Sequence, residues 1–176
     1  MIKLKDILYE VFDMGDSYPF KHSFKTELED EEDEETGETY KKDVLSNLQI
    51  IKFKSSNGIQ YVWYAKNDVH DNSFWRIAFG VYEGGDGTKE NGSLKLNIEK
   101  TGTGDAFRVL ATVIEITNTF VEFDENNEIQ RLHFESEGDN RTNLYLKRLV
   151  PRIDNFKVEH VSKSGTHSDV TLVRTN

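Results

Sequence analysis

The feature that most constrains the fold is a long amphipathic helix, predicted from Asp105 to Phe123. Two adjacent rows of its side chains are apolar, and a third row, on the opposite face, is polar. The apolar rows are Phe107, Leu110, Ile114, Val121 and Val109, Val113, Ile116, Phe120, and the polar row is Arg108, Thr112, Glu115, Thr119, Glu122. Because so wide an apolar face must be buried, we expect this helix to lie flat on a sheet.

Strand patterns on both sides of the helix supply that sheet. Alternating apolar residues before it predict four strands, at Leu48–Lys54, Ile59–Ala65, Phe74–Tyr82 and Ser93–Ile98. The patterns after it predict a strand at Ile129–Phe134, a helix at Asn140–Leu149 and terminal strands at Phe156–Val161 and Val170–Arg174. The turn signal Asn57-Gly58 favours a hairpin between the first two strands. The predicted fold class is therefore α+β, with a mixed, mostly antiparallel twisted sheet in which the first four strands form an antiparallel meander.

The 176 residues are predicted to form a single domain, because 36% hydrophobic composition is enough for one core. We expect an N-terminal helix over about residues 3–13, a disordered acidic loop over about residues 26–40 and the core over about residues 44–174. Four aromatic side chains of the strands are expected to fill that core, namely Tyr61, Trp63, Tyr64 and Trp75.

Composition excludes several classes of function. The chain has no cysteine, which rules out disulfides, thiolate catalysis and cysteine-ligated metal sites. No apolar run approaches the roughly 18 residues that span a bilayer. The first residues, Met1–Asp6, also lack the apolar core of a signal peptide. We therefore expect a soluble, cytoplasmic protein with no membrane partner.

The negative charge is concentrated in one segment. Residues Glu27–Glu38 contain nine carboxylates and no basic side chain, so that the remaining residues contribute only −1 to the net charge of −10. A segment of this kind repels itself and favours a solvated loop. The functional alternative is a surface that attracts a basic protein partner or imitates nucleic-acid phosphates. Direct nucleic-acid binding is not expected, because no basic face with interleaved aromatic residues is present.

A short glycine turn, Thr101-Gly-Thr-Gly104, joins the last of the four strands to the long helix. Such a turn exposes backbone N–H groups and the positive end of the helix dipole, which together favour a phosphate. The candidate cofactor-binding residues are Gly102, Thr103, Gly104, Asp105 and Ala106. The alternative is that the two glycines only allow the chain to turn sharply.

This order of elements, with the pair Gly102 and Gly104, resembles the GCN5-related N-acetyltransferase family. In that family the glycine loop binds the pyrophosphate of acyl-CoA, and splayed strands beside it admit the pantetheine arm. The segment Asn140-Arg-Thr-Asn-Leu-Tyr-Leu-Lys147 is similar to a helix of the family, which implies that Tyr145 is the general acid toward the departing thiolate. The resemblance also implies acetyl-CoA as cofactor and a V-shaped gap between the strand before Gly102 and the strand after Phe123.

Two carboxylates depart from the family pattern. Glu99 stands where the family has Gln or Arg, and Asp105 adds a negative charge at the start of the helix. Like charges about 4 Å apart cost on the order of 4 kcal/mol at an effective dielectric constant of ~20. Asp105 can also cap the helix and occupy the place of an anion. We therefore expect no cofactor and a binding or structural role, with an active N-acyltransferase as the alternative.

A second resemblance is to small uncharacterised proteins of tailed bacteriophages and some bacteria. They share a segment like Thr101–Val113 and an Arg…Leu-Tyr-x-x-Leu helix like the one after Arg141. This resemblance implies a protein carried by a phage or another mobile element, found in the host cytoplasm or in the virion.

Glu135 is the candidate base for acyl transfer. With Glu137 and Asp139 it lies at the end of the predicted strand that carries His133, and a carboxylate there could deprotonate an amine. Solvated loop charge is the alternative. His133 itself is predicted to face away from Leu132 and Phe134.

No metal site is predicted from the histidine pattern. His160 and His167 flank the terminal hairpin turn, but no carboxylate lies at metal-ligand spacing from either of them.

Overall fold

The structure, a computed structural model, describes residues 17–21, 23–32, 39–85, 95–97, 106–124, 128–137 and 139–175. Its strands are β1 (Thr26–Glu32), β2 (Thr39–Leu45), β3 (Leu48–Lys54), β4 (Gln60–Asp68), β5 (Asp71–Gly84), β6 (Lys95–Asn97), β7 (Arg131–Glu137), β8 (Phe156–Ser164) and β9 (His167–Arg174). Its helices are α1 (Ala106–Phe123) and α2 (Asp139–Leu144). The helix predicted over residues 3–13 lies outside the described residues.

Seven strands form one sheet in the order β3-β4-β5-β7-β9-β8, with β6 added beside β5. Every pair in this sheet is antiparallel except β5 and β7, which run parallel. The predicted α+β class with a mixed, mostly antiparallel sheet is confirmed. From β3 onward the elements also follow the order that the resemblance to acetyltransferases implies.

The long helix α1 lies on one face of this sheet, as its apolar rows predict. The ring of Phe120 meets the rings of Trp63 and Trp75 edge to face, with centroids 5.4 and 5.1 Å apart. Both predicted apolar rows are buried except Phe107, which is 44% exposed. In the part of the chain that the structure describes, no helix has the length and apolarity that a bilayer span requires.

Part of the polar row of α1 is covered by the chain before β1. Thr112 is fully buried by this segment, and its hydroxyl accepts a hydrogen bond from the backbone N–H of Tyr18 at 2.8 Å. Phe24 packs on Phe120 with ring centroids 5.4 Å apart. Helical periodicity places Thr112 in the polar row but does not predict its burial, since it carries no information about a distant segment.

The acidic region differs from the disordered loop predicted over residues 26–40. β1 and β2 pair as an antiparallel two-stranded sheet, and residues 33–38 between them lie outside the described residues. The register sets Glu29 opposite Lys42 and Asp30 opposite Lys41. Positions of opposite charge that face each other across two strands stabilise their pairing. The prediction of a disordered loop rested on the carboxylates up to Glu38 and did not include these two lysines.

The helix predicted at Asn140–Leu149 has a mixed geometry. α2 continues into a π-helical turn at Tyr145–Leu149 and then a 3-10 turn at Val150–Arg152. The backbone N–H of Val150 donates to the carbonyl oxygen of Tyr145, and Pro151 follows, where the helix was expected to end.

A buried ion pair joins the end of α1 to β9. Arg174 Nη2 donates to Asp124 Oδ2 at 2.9 Å, and Arg174 Nε donates to the carbonyl oxygen of Ile129 at 2.8 Å. The carboxylate of Asp124 also accepts the backbone N–H groups of Glu128 and Ile129. This network holds the chain between α1 and β7.

Candidate functional site

The glycine turn falls almost entirely outside the described residues. Of the five candidate cofactor residues only Ala106 is described, and it is the exposed first residue of α1. Phosphate binding by Gly102, Thr103, Gly104 and Asp105 therefore stays a prediction. Two surface hollows of about 420 and 490 Å³ adjoin α1, but neither is lined by Ala106, Glu135 or Tyr145.

The gap expected for a cofactor would lie between β6 and β7. Both of these strands pair with the same edge of β5. Trp75 pairs with Leu132 of β7, and Val81 pairs with Asn97 of β6, while both β5 residues pair with β4 on their other side. The parallel pairing with β7 ends at Ile77, and the pairing with β6 begins at Val81. Along the described edge of β5, only Ala78–Gly80 lies between the two pairings.

Tyr145 lies against this short stretch of β5. Its ring centroid is 5.7 Å from that of Phe79, and its side chain is 6% exposed. Phe79 shares a sheet face with Trp75, the face on which α1 packs. Tyr145 therefore occupies the helix-covered side of the sheet, next to the point where β7 leaves β5.

Glu135, the other candidate catalytic residue, lies on the opposite face. Leu132 and Phe134 are buried under the helices, and strand alternation places His133 and Glu135 on the open side. The predicted orientation of His133 is confirmed. The structure does not bring Tyr145 and Glu135 together.

A cluster of polar side chains occupies the open face around His133. Its Nε2 lies 3.8 Å from Glu135 Oε1 and 3.6 Å from Asp169 Oδ1, and its Nδ1 lies 3.2 Å from Thr171 Oγ1. The ring of Phe74 packs beside the imidazole, with centroids 5.6 Å apart. We call His133, Glu135 and Asp169 the open-face cluster.

The protonation of this face follows from its partial burial. Burial lowers the pKa of His133 below its ordinary 6.5, while Asp169 and Glu135 oppose this change and Arg76 adds to it. Burial likewise raises the pKa of Tyr64 above its ordinary 10.0; Glu135 raises it further and Arg76 opposes. At neutral pH the imidazole is thus uncharged and the phenol keeps its proton.

Sequence reasoning missed Asp169 and Thr171. Both belong to β9, whose antiparallel register with β7 sets Thr171 opposite His133 and Asp169 opposite Glu135. Alternation on β9 predicts that these two residues share a face, but nothing local predicts which strand lies beside them. Tyr64 was expected in the core and instead lies half-buried on this open face, because it alternates with the fully buried Trp63.

The acidic strands are fixed to the core by Gln49, which is 1% exposed. Its Oε1 accepts the backbone N–H of Lys25 at 2.7 Å, and its Nε2 donates to the carbonyl oxygens of Lys25 at 2.7 Å and Ser46 at 2.9 Å. The backbone N–H of Ser46 donates to the carbonyl oxygen of Lys25 at 2.9 Å. One buried amide thus holds both ends of the hairpin.

No protein-family model and no curated protein matches this chain. Among solved structures, one similar chain is the microcin C7 self-immunity acetyltransferase MccE, solved in complex with acetyl-CoA and AMP. The two chains are 13% identical and align with a TM-score of 0.40 over 72% of this chain and 61% of that one. This chain thus spans less than two thirds of that protein. A similarity at this level assigns neither cofactor nor substrate.

Proposed function

We propose that this chain is a binding protein built on an acetyltransferase-like order of elements, that it does not bind acyl-CoA, and that its acidic hairpin engages a basic protein partner. The acidic hairpin is residues 26–45, comprising β1, β2 and the residues between them. We further propose a phage or other mobile element as its source, a suggestion that rests on the second sequence resemblance alone.

The observation that carries the loss of the cofactor is that β6 and β7 both pair with the same edge of β5 and leave only Ala78–Gly80 of that described edge between them. The resemblance implies that a pantetheine arm enters between splayed strands, beside an accessible strand edge. Here Val81, Tyr82 and Gly84 of β5 are already paired with β6. Ala78–Gly80 offers about 10 Å of edge at ~3.3 Å per residue. Backbone groups that already bond to β6 are not available to a ligand.

The acidic hairpin supplies the binding surface in this proposal. Residues 26–45 contain ten carboxylates and two lysines, which gives a net charge of −8 out of −10 for the chain. Gln49 forms hydrogen bonds to the backbone at both ends of the hairpin, so these ends are fixed to the core. A concentrated field of one sign speeds encounter with a partner of the opposite sign.

The test is a titration of a lysine-rich peptide into the full chain, followed by fluorescence anisotropy at increasing ionic strength. Neutralising Glu27, Glu29, Asp30 and Glu31 by their amides should weaken binding about tenfold, since charge contacts at a protein surface contribute about 0.3–0.5 kcal/mol each. The matched control neutralises four carboxylates elsewhere, at Glu115, Glu122, Glu128 and Asp154. Equal weakening by both variants would contradict a role for the hairpin.

The second candidate function, an active N-acyltransferase, is favoured by the position of Tyr145. Its ring contacts Phe79, in the stretch of β5 that pairs with neither β6 nor β7 among the described residues. In this mechanism the phenol would protonate the departing thiolate. Water would have to accept the amine proton, because Glu135 is on the other face. Thiol release from acetyl-CoA that requires an amine, and that Tyr145→Phe abolishes without loss of cofactor binding, would favour it.

A further inference from the structure

We infer that the open-face cluster is a binding site for a divalent transition-metal cation such as Zn²⁺, with His133, Glu135 and Asp169 as its ligands. This site is separate from the acidic hairpin and from the edge of β5, so it does not depend on the proposed function. Its histidine and its second carboxylate are 36 positions apart in the chain, from 133 to 169, and only the β7–β9 register joins them.

The spacing of the three ligand atoms suits a metal ion. His133 Nε2 lies 3.6 Å from Asp169 Oδ1 and 3.8 Å from Glu135 Oε1, and all three atoms lie within 4.8 Å of one another. Zinc binds nitrogen and oxygen at about 2.0–2.2 Å, which places neighbouring ligands of a tetrahedral site roughly 3.4 Å apart. Small rotations of the side chains would close the remaining difference. Direct hydrogen bonds do not explain the convergence, because both distances exceed hydrogen-bonding range.

Hydroxyl groups of the neighbouring strands orient two of the ligands. Thr171 Oγ1 lies 3.2 Å from His133 Nδ1, which directs Nε2 toward the carboxylates. Ser162 Oγ donates to Asp169 Oδ2 at 3.2 Å, which leaves Oδ1 facing the imidazole. Outer hydrogen bonds of this kind hold ligands in position in protein metal sites.

Electrostatics favour a cation at the same point. Glu135 lies directly opposite Asp169 in the antiparallel register, and like charges at such positions are destabilising unless something positive lies between them. Arg76 pairs across β5 and β7 with His133, but its guanidinium lies 3.3 Å from Asp68. One imidazole with two carboxylates suits Zn²⁺ or a similar ion, whereas Mg²⁺ prefers oxygen ligands alone.

The cluster is accessible to an ion and to water. The side chains of Glu135 and Asp169 are 65% and 43% exposed, while that of His133 is 15% exposed. An ion here would have three protein ligands on one side and solvent on the other. That arrangement leaves a coordination position open, as catalytic zinc sites do.

The test is calorimetric titration of Zn²⁺ into the full chain in the presence of excess Mg²⁺, which occupies weak carboxylate sites. We expect one saturable Zn²⁺ site. The isosteric variants Glu135→Gln and Asp169→Asn should each weaken it by ~100-fold, and Thr171→Val, which removes an outer partner, by ~10-fold. The matched control is His70→Gln, which removes an exposed histidine of the β4–β5 turn and should leave the affinity unchanged.

Two results would overturn the inference. One is the absence of saturable Zn²⁺ binding by the wild-type chain. The other is binding that both Glu135→Gln and Asp169→Asn retain, which would place the ion elsewhere, for example on the acidic hairpin. Both substitutions affect exposed side chains, and circular dichroism checks that each variant is folded before it is titrated.

Discussion

At the scale of single residues, burial decides what an ion pair contributes to stability. The Asp124–Arg174 pair is almost fully buried, with side chains 4% and 9% exposed. The Asp68–Arg76 pair is exposed, with side chains 23% and 57% accessible. Removing one member of a buried pair leaves a charge without compensation in a medium of low dielectric constant, whereas water compensates an exposed one.

We therefore predict that Asp124→Ala lowers the free energy of unfolding by about 3–5 kcal/mol. It also removes the acceptor of two backbone N–H groups, those of Glu128 and Ile129. The control, Arg76→Gln, should cost no more than about 1 kcal/mol. Urea denaturation measures both values. Similar losses in the two variants would show that the Asp124 network does not hold the chain after α1.

Asp71 gives a prediction about pH. The carboxylate of Asp71 accepts hydrogen bonds from the Ser73 hydroxyl at 2.6 Å and from the Ser73 N–H at 3.0 Å. Both bonds lower the pKa of Asp71 below its ordinary 3.8, and Arg131 lowers it by a smaller amount. A carboxyl with a lowered folded-state pKa contributes stability that is present above its unfolded pKa and lost as the pH falls through its folded pKa. Ser73→Ala should raise the pKa of Asp71, which is measured by following its carboxyl carbon by NMR as the pH is lowered. A titration of Asp71 that does not move would contradict this account.

At the scale of elements, the order of β1 and β2 depends on the hydrogen bonds that Gln49 makes at the two ends of the hairpin. Gln49 bonds to the chain on both sides of the hairpin, and the amide is buried. A buried backbone group left without a partner costs about 1–3 kcal/mol. The hairpin should therefore be ordered as a unit only while this amide is in place.

We predict that Gln49→Leu, which keeps the side-chain volume roughly constant, destabilises the chain by about 1–3 kcal/mol. Hydrogen exchange of the β2 amides should become faster while that of the β4 amides changes less. The matched control is Gln60→Leu, at an exposed position of the neighbouring strand. Unchanged exchange in β2 would show that the strands are held by other contacts.

Local patterns predicted most elements of the main sheet. β3 has the predicted bounds, Leu48–Lys54, because its apolar alternation is clear and Asn57-Gly58 follows it. The pairing of β1 with β2 was not predicted, because the repulsion among the carboxylates of residues 27–38 was considered alone. Lys41 and Lys42, which lie opposite two of these carboxylates in the register, were not included. The burial of Thr112 was not predicted, because a segment distant in sequence causes it. Tyr64 was misplaced although alternation with the buried Trp63 already sets it on the opposite face.

At the scale of the whole molecule, topology decides what the candidate site can be. The sequence indicated Tyr145 and Glu135 as candidate catalytic residues, but not their separation by the sheet. The predicted meander includes the antiparallel pairing of β6 with β5, which is confirmed, but nothing local predicts that β7 pairs with the same edge of β5. Strand order and register depend on contacts between distant segments. These contacts decide whether a chain with an acetyltransferase-like order of elements also has an acetyltransferase site.

The most direct test of the central claim is calorimetry of acetyl-CoA titrated into the wild-type chain at up to millimolar concentration. We predict no saturable heat, because β6 and β7 leave only Ala78–Gly80 of the described edge of β5 between them. Saturable binding that Gly104→Val abolishes would contradict the claim and support the acyltransferase alternative. Binding gained only by Asp105→Ala would agree with the loss of the cofactor in the wild-type chain, but it would assign that loss to the charge at the helix start and not to the strand pairing at β5.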